Sequence, residues 1–467
     1  MVIDLGTERY EPPAAPARPP RELRVRRWRI TGAILAGILA FSVGGAARSP
    51  EPALREVHAA PLGPADTYML ADGLLLTTSV IDPTDQAKHR IVCYDLTRRR
   101  QLWSADYALD ENRLGPRRAG GLLLVFEKVA EGAPPRTTAL DLRTGHRRWS
   151  LPYRSLLLPD APTALVLDDV FRPEARIRPA QVDGGGEVYF GSDGHAYSEP
   201  PIELIVRGLD LDTGQLRWEL PRLDSVRLVE ASERQPPVLL TSSPDGAVEV
   251  RDLLSGGVNH RLDWPGGELG LVQRIGETVV TVAQSGSGQV VTAYSADLWQ
   301  RRWSRTLTGT RDFVERCGPL LCQARDIGTS ALDPATGETR WELPGPLRLL
   351  ALDPWLVEMD QRTALRRVFE TRTGRTVAEL GGWRLTDDST WPDEIPLRTD
   401  QPPLVLQSNP AGGQTSFGVI DPAGPSVRRL GVLPYPLEEC VAAQPFMACR
   451  VPGAQLRVWR YHPPRPL

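Results

Sequence analysis

Hydrophobic and polar positions alternate in short runs along most of the chain, as in GLLLVFEKV at 121–129 and ETVVTVAQ at 277–284. A period of two, with Gly, Pro or Asp closing each run, predicts half-buried β-strands rather than helices. One segment departs from the pattern. ITGAILAGILAFSVGGAA, residues 30–47, carries no charge over 18 positions. As a helix it would be about 27 Å long, close to the hydrocarbon thickness of a bilayer.

The strand runs are punctuated by a recurring turn. It reads YDLTRRRQLW from Tyr94, LDLRTGHRRW from Leu140, LDLDTGQLRW from Leu209 and LDPATGETRW from Leu332. Weaker copies start at Arg251, Tyr294, Phe369 and Ile420. The first polar positions are Asp95, Asp141, Asp210, Asp252, Ser295, Asp333, Glu370 and Asp421, spaced by 46, 69, 42, 43, 38, 37 and 51. A period near 40 with about four strands per unit predicts an all-β propeller of four-stranded blades.

Each residue type in the turn has a physical reason. Asp accepts backbone amides two or three residues on. Gly four positions later (Gly145, Gly214, Gly256, Gly337, Gly374) supplies a positive φ to close the hairpin. Trp eight positions later (Trp103, Trp149, Trp218, Trp303, Trp341) sits on the outgoing strand, where a large flat side chain fills the seam between sheets. These Asp, Gly and Trp residues read as structural.

Eight turns predict eight blades, with seven or nine open. Three C-terminal β-like runs, ECVAA, PFMACRV and QLRVWRY, pairing with a strand from residues 54–70, would raise the literal count to nine. The 69-residue interval before Asp210 holds an insertion at about 170–200.

The domain reading is a Pro/Arg-rich cytoplasmic arm at 1–29, a transmembrane helix at 30–47, a Pro-rich spacer at 48–64, the propeller at 65–461 and a tail at 462–467. Arg21, Arg24, Arg26, Arg27 and Arg29 precede the apolar run and should stay cytoplasmic, placing the propeller outside. The rival reading is a signal peptide cleaved after Ala47. Either way the expected localisation is extracytoplasmic, on a single-pass cell-membrane anchor or released from one. The Cys support export. Cys317–Cys322 and Cys440–Cys449 are read as disulfides between facing positions of hairpins, with Cys93 unpaired.

Composition narrows the function. Gly and Pro make up 86 of 467 residues, which excludes a long helical bundle. A net charge of −3 argues against a nucleic-acid binder. Of the 55 basic residues only Lys88 and Lys128 are Lys, the usage of a GC-rich, actinobacterial genome. The six His are scattered, and there is no P-loop and no GxSxG. Asp183, Glu187 and Asp193 do not match a calcium loop. Catalytic, cofactor-binding and metal-ligating residues are therefore all expected to be absent.

The repeat resembles the quinoprotein-type unit, ALDaxTGxxxW, of PQQ-like β-propellers, over about residues 65–461. That family includes quinoprotein alcohol dehydrogenases and the lipoprotein that assists outer-membrane barrel assembly. The dehydrogenase branch implies a vicinal disulfide over the cofactor, and this sequence has no adjacent Cys pair. The resemblance therefore implies the barrel-assembly branch. The expected function is a non-catalytic scaffold or sensor that binds an envelope protein or extracellular ligand. A PQQ-dependent oxidoreductase, or another propeller enzyme, is the alternative.

Overall fold

The computed structural model describes residues 54–462 apart from 83–84, 110–114, 129–135, 153–155, 158–161, 178–187, 192–194, 233, 286–287, 308–312, 361–363, 387–402, 410–412 and 422–423. The proposed span at 30–47 and the acids Asp183, Glu187 and Asp193 lie outside the described residues. Among the described residues no helix is long and apolar enough to cross a membrane.

Nine four-stranded antiparallel sheets follow one another along the described chain. Blades 1 to 8 cover 67–108, 117–151, 156–223, 225–261, 268–307, 313–344, 348–379 and 384–433. Blade 9 takes three strands from 438–461 and its outer strand, Leu54–Pro61, from the other end of the chain. Thr67–Ala71 of blade 1 contacts Glu438–Ala443 of blade 9, which closes the ring. Buried apolar residues form nine clusters, each shared by two neighbouring blades. The core is thus a circle of seams rather than one centre.

Nine blades correct the expected eight. The turn motif marks the hairpin between the third and outer strands, and blade 9 has no such hairpin. There Leu54 pairs with Tyr461, where blade 1 pairs Arg100 with Asp95 across its turn. A ring closed by its two chain ends contains one turn fewer than it has blades. The Pro-rich spacer is corrected for the same reason. Leu54–Pro61 is a strand, and the following Leu62 is 1% exposed, so the propeller begins inside the segment read as spacer.

Both expected disulfides form. Cys317 lies opposite Leu320 and Cys322 opposite Glu315, so this pair is diagonal rather than facing, with Cα atoms 5.7 Å apart. Cys93 is the free thiol.

The insertion occupies 171–202, between the second and third strands of blade 3. It leaves the ring on the face opposite the Asp/Gly turns. Arg176–Ile177, Ala196–Tyr197 and Tyr189–Phe190 make a small sheet of their own.

Candidate functional site

The recurring residues assemble into a clasp at the seams. Asp141 shows the first half. Its Oδ1 accepts the amides of Arg143 (3.1 Å) and Thr144 (2.9 Å), and its Oδ2 accepts Arg148 at 3.0 Å. Asp210 binds Thr213 and Arg217, and Asp333 binds Ala335, Thr336 and Arg340, in the same way. Asp95 accepts the amides of Thr97 and Arg98. The Arg217 guanidinium, with Thr213, holds the Asp210 carboxyl down at about 2. Arg340 likewise lowers Asp333, and the Arg98 amide lowers Asp95. These carboxylates are engaged in closing their own turns.

The second half crosses to the next blade. Each indole N–H donates to a carbonyl in the neighbouring turn: Trp103 to Leu142 (3.1 Å), Trp149 to Leu211 (2.8 Å), Trp218 to Leu253 (3.1 Å), Trp303 to Pro334 (2.9 Å) and Trp341 to Thr371 (2.9 Å). The turn Gly of that next blade lies flat on the indole. A Cβ at Gly145, Gly214, Gly256, Gly337 or Gly374 would come within 2.6–2.8 Å of the ring. Their φ values are 67–72°, so Gly is required twice over, by conformation and by close approach.

Sequence reasoning missed the third member of the clasp. The residue paired with each Trp is small: Cys93, Ala139, Gly208, Ala293 and Ala331. It stands two positions before the turn Asp or Ser, so the signal was in the repeat itself. Cys93 is thereby explained as the small residue beneath Trp103. Burial pushes its thiol up to about 12, which leaves it unreactive.

It also missed Trp299. Blade 4 has His260 in the Trp position, opposite Val250. Blade 5 has Trp299 in the Gly position, at φ 55°, with its amide on Ser295 O at 2.9 Å as the Gly amides are. Trp299 is 8% exposed and packs with Val248, Val250 and Leu262 of blade 4. The seam is filled by an indole coming from the opposite side.

Elsewhere, the insertion stacks Phe171 on Tyr197 with ring centroids 4.0 Å apart. Arg172 pairs with Glu199 at 3.2 Å, and Arg176 meets His195 Nδ1 at 2.8 Å. Among the described residues no three His, Cys, Asp or Glu side chains converge as a metal site would need. The disulfides join residues five and nine positions apart in blades 6 and 9, so neither is the adjacent-Cys cover a quinone site requires.

A family described as "Outer membrane protein assembly factor BamB" matches residues 64–305, just over half of the chain. The chain belongs to this family of PQQ-like propellers. No curated protein matches it. Among solved structures, BamB from Moraxella catarrhalis is similar at 11% identity, over 89% of this chain and 99% of that one, with a TM-score of 0.39. A eukaryotic initiation factor gives 12% identity, 79% and 91% coverage and a TM-score of 0.49. The dihydro-heme d1 dehydrogenase NirN gives 16%, 82% and 78%, and 0.40. At such scores none of them says what this chain binds. Within the BamB family, this chain carries the repeat in a ring of nine blades.

Proposed function

We propose that the protein is a non-catalytic, membrane-anchored scaffold whose propeller lies outside the cytoplasm and binds an envelope protein. Residues 30–47 are its single membrane span, with residues 1–29 inside. One observation carries the reading. The repeated Asp and Trp side chains and the turn Gly are consumed in holding seams, while among the described residues blade 3 carries, within 171–202, a small sheet outside the nine blades on the loop face. Such an extension on a rigid ring is where recognition concentrates. The family supports the same reading, since its description is that of an assembly factor.

A photo-crosslinker placed at Glu199 in the full chain should capture one discrete envelope protein. The same probe at Glu338, on the opposite face, should not. Protease added to intact cells should reach the propeller and spare residues 1–29. Stoichiometric PQQ binding with calcium-dependent alcohol oxidation would overturn the non-catalytic reading.

A further inference from the structure

The two faces of the ring differ in the apolar residues they expose. The Asp/Gly turns, together with the hairpins joining first to second strands, form one face. On it Leu216, Leu254, Val258 and Leu298 are 55%, 50%, 46% and 58% exposed. They occupy consecutive blades, 3 to 5. Trp218 docks blade 3 onto the blade 4 turn beside Leu254, and Trp299 docks blade 5 onto blade 4, so the four form one arc. Leu216 and Val258 share a repeat position that is Gln101, Arg147, Arg301, Thr339 or Thr376 in blades 1, 2, 5, 6 and 7 and the half-buried Val427 in blade 8. The large apolar residues exposed on the opposite face, Ile81, Ile202, Phe313, Ile327 and Val432, are scattered over blades 1, 3, 6 and 8.

The same turn face carries exposed arginines elsewhere. Arg99 and Arg100 of blade 1, Arg143 and Arg147 of blade 2, and Arg372 of blade 7 are exposed there. None of the five has an ion-pair partner among the described residues.

The chain enters the propeller on this face. Leu54 begins the outer strand of blade 9 at its turn end, opposite Tyr461. Only residues 48–53 separate it from the apolar run that ends at Ala47. Seven residue steps reach at most about 25 Å, however the chain runs.

From these three observations we infer that the turn face is a membrane-docking surface. It lies on an anionic bilayer with the Leu216/Leu254/Val258/Leu298 arc at the acyl boundary and the five arginines among the headgroups. The inference rests on the reading of 30–47 as a span. Docking turns the opposite face, with the blade 3 insertion, away from the membrane and toward a partner.

The full chain is reconstituted in vesicles of phosphatidylcholine with 30% phosphatidylglycerol, and in phosphatidylcholine alone. A fluorophore is placed through Leu254→Cys, or through Ile327→Cys on the opposite face, and lipid-borne nitroxides report contact. Quenching is expected at 254 in the anionic vesicles and not at 327. Each of Arg99→Gln, Arg100→Gln and Arg143→Gln should lower the docked fraction relative to undocked by about fivefold, the effect of one surface arginine. Equal quenching at the two sites, or none at either, overturns the docking surface. Flotation in alkaline carbonate reports the span separately. A chain that stays with the vesicles but shows no quenching at 254 sinks the docking alone. A chain stripped off by carbonate sinks the span on which the inference rests.

Discussion

The ring uses three kinds of seam. Five of them, from blades 1 to 2, 2 to 3, 3 to 4, 5 to 6 and 6 to 7, use the Trp clasp with a small residue beneath and a Gly in front. The seam from blade 4 to 5 inverts it, with Val250 and His260 on one side and Trp299 on the other. Beyond blade 7 the clasp disappears. Leu404, Phe417, Met447, Trp459 and Tyr461 fill the seam between blades 8 and 9 without reference to the motif. What is held constant around the ring is the filled volume between sheets, as close packing of interiors demands. The residue that supplies it is free to change.

The largest effect is expected where the clasp is complete. Trp218→Ala removes an indole that is 8% exposed, its bond to Leu253 and its contact with Gly256. Urea denaturation of the full chain should show a loss of about 3–5 kcal/mol, as large aromatic truncations give. A loss under about 1 kcal/mol would mean that the seam does not depend on the clasp.

The inverted seam offers a sharper test. Trp299→Gly should relieve a positive φ but open a cavity, for a net loss of about 2–4 kcal/mol. Adding His260→Trp and Val250→Ala rebuilds the arrangement of the other five seams. The triple variant should regain at least 1 kcal/mol, a coupling expected of residues that share one cavity. If the three changes simply add, the two seams are not equivalent solutions.

The particular elements that the sequence did and did not reveal follow the same division. The clasped seams were legible because one interaction fixes three spacings at once, so Asp141, Gly145 and Trp149 recur in step. The blade number was legible only as an alternative to eight, because the strand that closes the ring by pairing Leu54 with Tyr461 carries no turn motif. Trp299 was illegible as a seam filler because its position in the repeat belongs to Gly. The diagonal pairing of Cys317 with Cys322 depends on register, which spacing alone does not give. For the candidate surfaces the sequence supplied the insertion boundaries and the apolar run. It did not show that the chain enters on the turn face, since that follows from the pairing of its two ends.

Two glycines separate conformation from contact. Gly214 and Gly276 both have positive φ, 70° and 57°, but only Gly214 lies against an indole. A Cβ at Gly214 would meet Trp149 at 2.7 Å, while one at Gly276 meets nothing within 4 Å. Gly276→Ala should therefore cost about 1 kcal/mol for its backbone alone. Gly214→Ala should cost about 1–3 kcal/mol more through overpacking. Equal denaturation midpoints would remove close approach as a reason for Gly in the clasp.

The smallest effect belongs to the polar half of the clasp. Asp210 has its carboxyl held at about 2 by Arg217 and Thr213, against about 3.9 for a carboxyl in an unfolded chain. A group depressed on folding stabilises the fold above its unfolded pKa. That contribution fades as the pH falls from about 4 through about 2. Asp210→Asn keeps an oxygen for the Thr213 amide and loses the charge that holds Arg217. The pair is at the surface, so the variant should lose less than about 1 kcal/mol at pH 6. The gap to the parent should narrow steadily below pH 4 and be small by pH 2, where the folded parent's carboxylate is about half protonated and its unfolded counterpart almost fully. Denaturation curves for the two proteins at pH 6, 4, 3 and 2 read this directly. A gap that stays constant over the range would show that Asp210 acts through its turn hydrogen bonds and not through its charge, so that the polar half of the clasp is backbone geometry alone.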